Sequence, residues 1–138
     1  MAKYLIPCLL GLEKLVGDEI KRLGLQDVQV ENGRVLCRGT EADIARLNIN
    51  LRCGARVLME LASFPARDFE SLFQGVAALP WEDYIPREGE FPVKGYSLNS
   101  QLHSVPACQA IVKKAAAKRM GQAYGMETLP ETGSRYQI

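Results

Sequence analysis

The chain has 138 residues, 47% of them hydrophobic and 24% charged, with 17 Lys and Arg against 16 Asp and Glu for a net charge of +1. That balance excludes a wholly disordered or collagen-like polymer and gives no uniformly basic nucleic-acid binder. A chain of this length buries roughly two-thirds of its unfolded surface, enough for one good core or two small ones.

Residues 3–9 read as a strand buried on both faces or nearly so. Leu12, Leu15, Val16, Ile20 and Leu23 then mark one face of a helix, with Glu13, Lys14, Asp18, Lys21 and Arg22 opposite. Gly17 inside that helix costs up to about 1 kcal/mol relative to Ala, and Gly24 suits a left-handed C-terminal cap. Two alternating runs around Val28–Val30 and Val35–Cys37 flank Asn32-Gly33, a hairpin signal that points to a type I′ turn. Thr40-Glu41-Ala42-Asp43 has capping-box spacing and opens a helix with Ile44, Leu47 and Leu51 inward. Ala55, Val57, Met59 and Leu61 alternate as a fourth strand. Strand, helix, strand, strand, helix, strand is the order of a ferredoxin-like fold, complete by about residue 64.

After residue 64 the pattern changes. A helix carries Phe69, Leu72, Phe73, Val76 and Ala77 on one face and stops at Pro80. Phe91 to Tyr96 reads as a short strand, followed by a polar loop over Ser97–Ser104. A helix from near Pro106 to about Gly125 turns Cys108, Ile111, Val112, Ala115 and Ala116 inward. Tyr136-Gln137-Ile138 looks like the first half of a strand, so a piece of something longer is expected.

The charge is unevenly placed. Residues 91–126 hold five cations and no acid, so a +1 chain carries −4 over the rest. Lys114 and Lys118 share a helix face beside Lys113. The preceding loop supplies Ser97, Asn99, Ser100, Gln101, His103 and Ser104. A polar loop feeding a helix start beside lysines suits phosphate; the competing reading is a solvated helix face.

Other signals are weaker. His103 is the only histidine, and no carboxylate in its segment orients it as a base. Trp81 follows a helix and a proline, which favours packing over base stacking. Cys8, Cys37, Cys53 and Cys108 stand 29, 16 and 55 residues apart, as buried hydrophobes rather than a metal knuckle. Leu129-Pro130-Glu131-Thr132-Gly133 matches a sortase signal but lacks its hydrophobic tail, so a turn is favoured. No run spans a membrane, and the N-terminus lacks a signal cleavage site, so a cytoplasmic location is expected.

Gly11-Leu12-Glu13, Leu51-Arg52, Arg56-Val57-Leu58, Pro80-Trp81-Glu82-Asp83-Tyr84-Ile85-Pro86 and Ser104-Val105-Pro106-Ala107-Cys108-Gln109 before Lys113-Lys114-Ala115 together resemble bacterial THUMP-domain RNA methyltransferases. The nearest subgroup is that of the large-subunit rRNA guanine-N2 methyltransferase, often labelled N6-adenine DNA methylases. The resemblance implies an α+β chain: a ferredoxin-like βαββαβ domain over 1–64, then an α/β THUMP domain over 65–138, incomplete at its C-terminus. It implies an RNA-binding module without catalytic residues that docks structured RNA, rRNA ahead of tRNA. S-adenosylmethionine and the catalytic Asp/Asn-Pro-Pro-aromatic motif would belong to a methyltransferase domain in cis or trans; no cofactor and no metal is expected in this chain. By the same resemblance Lys94, Ser100, His103, Ser104, Gln109, Lys113 and Lys114 contact RNA, and Lys118 and Arg119 are added from charge. Five such cationic contacts would give a log–log salt slope of about −3.5 on single-stranded RNA. The alternatives are a small phosphate-handling hydrolase using Arg38 or Arg52 with Asn48 or Asn50, and a protein-interaction module.

Overall fold

A computed structural model describes all of residues 1–138. The chain divides into two compact units, Met1–Ser63 and Phe64–Ile138. No helix is long and apolar enough to cross a membrane.

The first unit runs β1 (Ala2–Pro7), α1 (Glu13–Arg22), β2 (Gln26–Glu31), β3 (Arg34–Gly39), α2 (Ala42–Asn50) and β4 (Leu58–Glu60). The strands form one antiparallel sheet in the order β2-β3-β1-β4. Period-2 alternation sends Tyr4 and Ile6 of β1 into the core with Val35 and Cys37 of β3. Val16 and Ile20 of α1 and Leu47 of α2 close over them. The Tyr4 hydroxyl donates to the Thr40 carbonyl at 2.8 Å, which satisfies the one polar atom of that side chain. Burial pushes the Cys37 thiol up to about 11.

Several local expectations change. β1 is not buried on both faces: Lys3 and Leu5 lie half-buried on the sheet's other side, where Lys3 meets Glu60 at 2.8 Å. Leu15 is exposed rather than part of the α1 core face. Gly17 is buried, and a Cβ there would stand 2.9 Å from Val30 Cγ2, so its absence lets α1 approach β2. The hairpin is two residues long as expected, but only Gly33, at φ 75°, takes positive φ, so the turn is not type I′. The reason is tertiary: the Glu13 carboxylate accepts from Gly33 N at 3.0 Å and from Gly11 N at 2.8 Å, clamping the turn to the start of α1. The capping box forms through its side-chain-to-backbone half, with Thr40 N donating to Asp43 Oδ2 at 2.7 Å. Gly54 sits where a Cβ would be 2.6 Å from Ile6 Cγ2, so the 51–57 loop closes directly onto the core.

The second unit contains α3 (Phe69–Ala77), a 3-10 turn (Trp81–Asp83) and α4 (Val105–Tyr124). Asp68 caps α3 by accepting from Ser71 N at 2.7 Å. Trp81 is 4% exposed, and its Nε1 donates to the Val76 carbonyl at 2.8 Å, so it is a packing residue. The expected strand at 91–96 is a parallel pairing of 90–94 with 134–138 and not a full strand. Glu90 N donates to Ser134 O and Lys94 N to Ile138 O, both at 2.9 Å. Pro92, which has no N–H, removes the ladder bond between them.

Two ion pairs fasten this unit. Lys113 Nζ donates to the Phe91 carbonyl at 2.9 Å, lies 3.5 Å from the Phe91 ring centroid, and pairs with Glu131. Glu131 also accepts from Phe91 N at 3.2 Å and takes φ 47°, so Leu129–Gly133 is a structural turn. Arg119 meets Glu82 in a two-pronged contact, Nη2 at 2.6 Å and Nε at 3.1 Å. Lys113 and Arg119 hold the carboxyls of Glu131 and Glu82 below the usual range.

Two outcomes follow from this packing. Gly54→Ala should cost about 1–3 kcal/mol in urea unfolding, because Ile6 is enclosed and cannot yield. For Glu82 and Glu131 the folded pKa lies below the unfolded one, so their contribution is complete at neutral pH. It is lost as pH falls through the unfolded carboxylate pKa toward the folded one. Melting temperature against pH should therefore decline on the acid side, and Glu131→Gln should lower the neutral-pH value and flatten that decline.

Candidate nucleic-acid interface

The nine residues expected to contact RNA all fall in the second unit, but they do not form one surface. Lys94, Ser100 and Gln109 line a cleft of about 430 Å³. Its floor is apolar, with Leu72 from α3 and Val105, Val112 and Cys108 from α4. Val93, Lys94 and Ile138 bring the paired 90–94 and 134–138 segments to the same wall. No Asp or Glu side chain lines this cleft.

The polar loop above it is tied to itself. Ser97 Oγ donates to the Leu102 carbonyl at 2.8 Å, and Leu102 N donates to Ser100 Oγ at 3.2 Å. His103 is exposed, with Nδ1 3.2 Å from the Gln101 carbonyl. Ser104 takes the N-cap position of α4 without a side-chain capping bond, leaving its exposed hydroxyl without an intramolecular partner. The first turn of α4 has no acid, so the positive end of its dipole is uncompensated.

Lys114 and Lys118 are exposed on α4, five and nine positions beyond Gln109. At about 100° per residue that places them on the other side of the helix from the cleft. Both line two grooves apart from the cleft, one shared with Glu127 and the other with Glu70, and Lys118 Nζ lies 5.4 Å from the Phe73 ring centroid. Lys113 and Arg119 have their charges committed to Glu131 and Glu82. The run that is free of acids along the sequence therefore meets acids in space, brought from 18 and 37 residues away.

Two residues of this surface escaped the sequence reading. Tyr96 and Leu98 are each 78% exposed, and both line the cleft beside Lys94. An aromatic within a polar loop next to a lysine was the available signal. The hydrolase alternative finds no site. Arg38 lies beside Asp27 at 3.5 Å, and register places it opposite Lys3, at the far end of the sheet from the loop carrying Arg52. The Asn48 and Asn50 carboxamides donate back to Ile44 O and Arg46 O, each at 2.8 Å, which ties both to their own helix.

Comparison with known proteins agrees with this architecture. Residues 3–58 match the model of the RlmL ferredoxin-like domain, and residues 66–131 match that of the THUMP domain. YpsC of Bacillus subtilis (strain 168), named as a candidate RNA methyltransferase, is 39% identical over 94% of this chain and 34% of its own length. Ribosomal RNA large subunit methyltransferase K/L of Syntrophotalea carbinolica is 28% identical over 83% of the chain and 16% of its own length. Among solved structures, SMU.472, a methyltransferase candidate complexed with SAH, superposes with a TM-score of 0.93 and 43% identity over 99% of this chain and 37% of that one. The chain thus spans between about a sixth and just over a third of these relatives. By these matches the chain carries an RlmL ferredoxin-like domain over residues 3–58 followed by a THUMP domain over residues 66–131.

Proposed function

We propose that this chain is an RNA-docking module that presents structured RNA, rRNA ahead of tRNA, to an S-adenosylmethionine-dependent guanine-N2 methyltransferase domain acting in cis or trans. The observation that carries the reading is the cleft beside α4. It has an unpaired lysine, an exposed tyrosine, several hydrogen-bonding side chains and no Asp or Glu side chain. Lys94 supplies charge for a phosphate, Tyr96 a face for an unstacked base, and Ser100 and Gln109 polar contacts. His103 and Ser104 extend these contacts to the start of α4. Lys114 and Lys118 add phosphate contacts from the helix's other side, and Lys113 and Arg119 act by holding the surface in shape.

The chain's own elements do not suit the methyl donor. Its four-stranded sheet is wholly antiparallel, whereas nucleotide-type cofactors sit at the carboxyl ends of parallel strands against a glycine loop. That contrast supports a reading in which S-adenosylmethionine is held by the partner domain, where it would supply the methyl group, while this chain's residues bind and orient the RNA.

Anisotropy titrations of a labelled rRNA hairpin and a tRNA over a range of salt test this reading. With Lys94, Lys114 and Lys118 as its free cations, the acid-free segment should account for about −2 of the log–log slope, and Lys113 and Arg119 for none of it. Lys94→Glu with Tyr96→Ala should weaken binding by about tenfold or more, the stacking share alone being about 1–3 kcal/mol. The rRNA hairpin should bind more tightly than tRNA. A flat salt response, or a double variant that binds like the parent, would refute the reading.

A further inference from the structure

The first unit has a surface that the cleft does not account for. Its topology gathers three loops at one end of the sheet: the β1–α1 loop, the β2–β3 hairpin and the α2–β4 loop. Hydrogen bonds tie them together. Cys8 N donates to Gly33 O at 3.0 Å, and Ala55 N donates to Pro7 O at 2.8 Å. The Glu13 carboxylate bridges Gly11 and Gly33, and the Glu19 carboxylate accepts from Arg52 N and Cys53 N at 3.2 Å each.

This arrangement sorts the charges. Glu13 and Glu19 are half-buried and directed onto backbone N–H groups. Lys14, Arg52 and Arg56 stand exposed, with no hydrogen bond or ion pair from their side chains. The outer layer is therefore cationic over an anchored loop, so the two guanidiniums are presented without the ordering cost of a free segment. Beside them Leu9, Leu10 and Ile49 are 77%, 80% and 81% exposed. Exposed apolar side chains at the end of the sheet where the loops carry unpaired cations fit a polyanion with exposed ribose and base faces.

We infer that this end of the ferredoxin-like unit is a second RNA-contact surface, in which Arg52 and Arg56 take backbone phosphates and Leu9 and Leu10 pack on an unstacked base or ribose. The inference rests on the chain's reading as an RNA-docking module. It adds contacts outside the THUMP domain, carried by a loop that Glu19 and Gly54 hold in place.

The experiment uses the whole chain and the same labelled rRNA hairpin. Arg52→Glu with Arg56→Glu should weaken binding by about tenfold and make the salt slope shallower by about 1.4, two contacts' worth. Leu9→Ser with Leu10→Ser should weaken binding while leaving the slope unchanged. Circular dichroism melts of both variants should match the parent, since none of the four side chains is buried. If the arginine variant binds with parental affinity and slope while Lys94→Glu weakens binding, this surface is not an RNA contact, and its exposed apolar side chains are left for a protein partner. If the parent chain itself shows no salt-dependent RNA binding, both this inference and the docking reading fall.

Discussion

The second unit depends on how the Lys113 ammonium is housed. One cation satisfies the Phe91 carbonyl, the face of the Phe91 ring and the Glu131 carboxylate, and that carboxylate also takes the Phe91 N–H. Three stretches distant in sequence are joined through a single charge. A half-buried ammonium with several partners is costly to strip of any one of them, because the remaining charge is then poorly solvated. The consequence reaches the cleft. Phe91 begins the segment whose Val93 and Lys94 form its wall, and Glu131 leads into the segment that ends at Ile138 on the same wall.

Charge in this chain is organised by exposure more than by count. In both units, carboxylates are turned toward backbone N–H groups or particular cations, and selected cations are left outside. Glu82 and Glu131 absorb Arg119 and Lys113, while Lys94 lies in a cleft with no Asp or Glu side chain. Glu13 and Glu19 brace loops, while Arg52 and Arg56 remain free. Docking surfaces made this way combine rigidity with attraction for phosphate, since the same carboxylates that would repel an anion are half-buried and spent on structure.

The elements whose signal is local were legible. The two amphipathic helices of the first unit, the hairpin site at Asn32-Gly33 and the Thr40 capping box follow from periodicity and short-range chemistry. The details set by distant neighbours were not. The turn type yields to Glu13, which reaches across from α1. Gly17 looks like a defect in a helix until Val30 is placed against it. Pro92 interrupts a ladder whose partner lies more than 40 residues on, so a strand-like run survives only as a bridge. Lys94, Ser100 and Gln109, grouped from one segment of the sequence, line one cleft in space, whereas Tyr96, between them, reads in sequence as the last residue of a strand and is exposed only because that strand does not form.

The sequence alone therefore determined the order of elements in the first unit, its ferredoxin-like organisation, and the segment where cations accumulate, because these rest on residue type and spacing within a few turns or strands; the THUMP reading rested on family resemblance. Only the tertiary structure decided which of those cations are free. Coulombic pairing acts through space, and Glu131 and Glu82 reach Lys113 and Arg119 from 18 and 37 residues away. A stretch with no acid in its own sequence thus became, once folded, three available lysines together with a lysine and an arginine that hold the fold together.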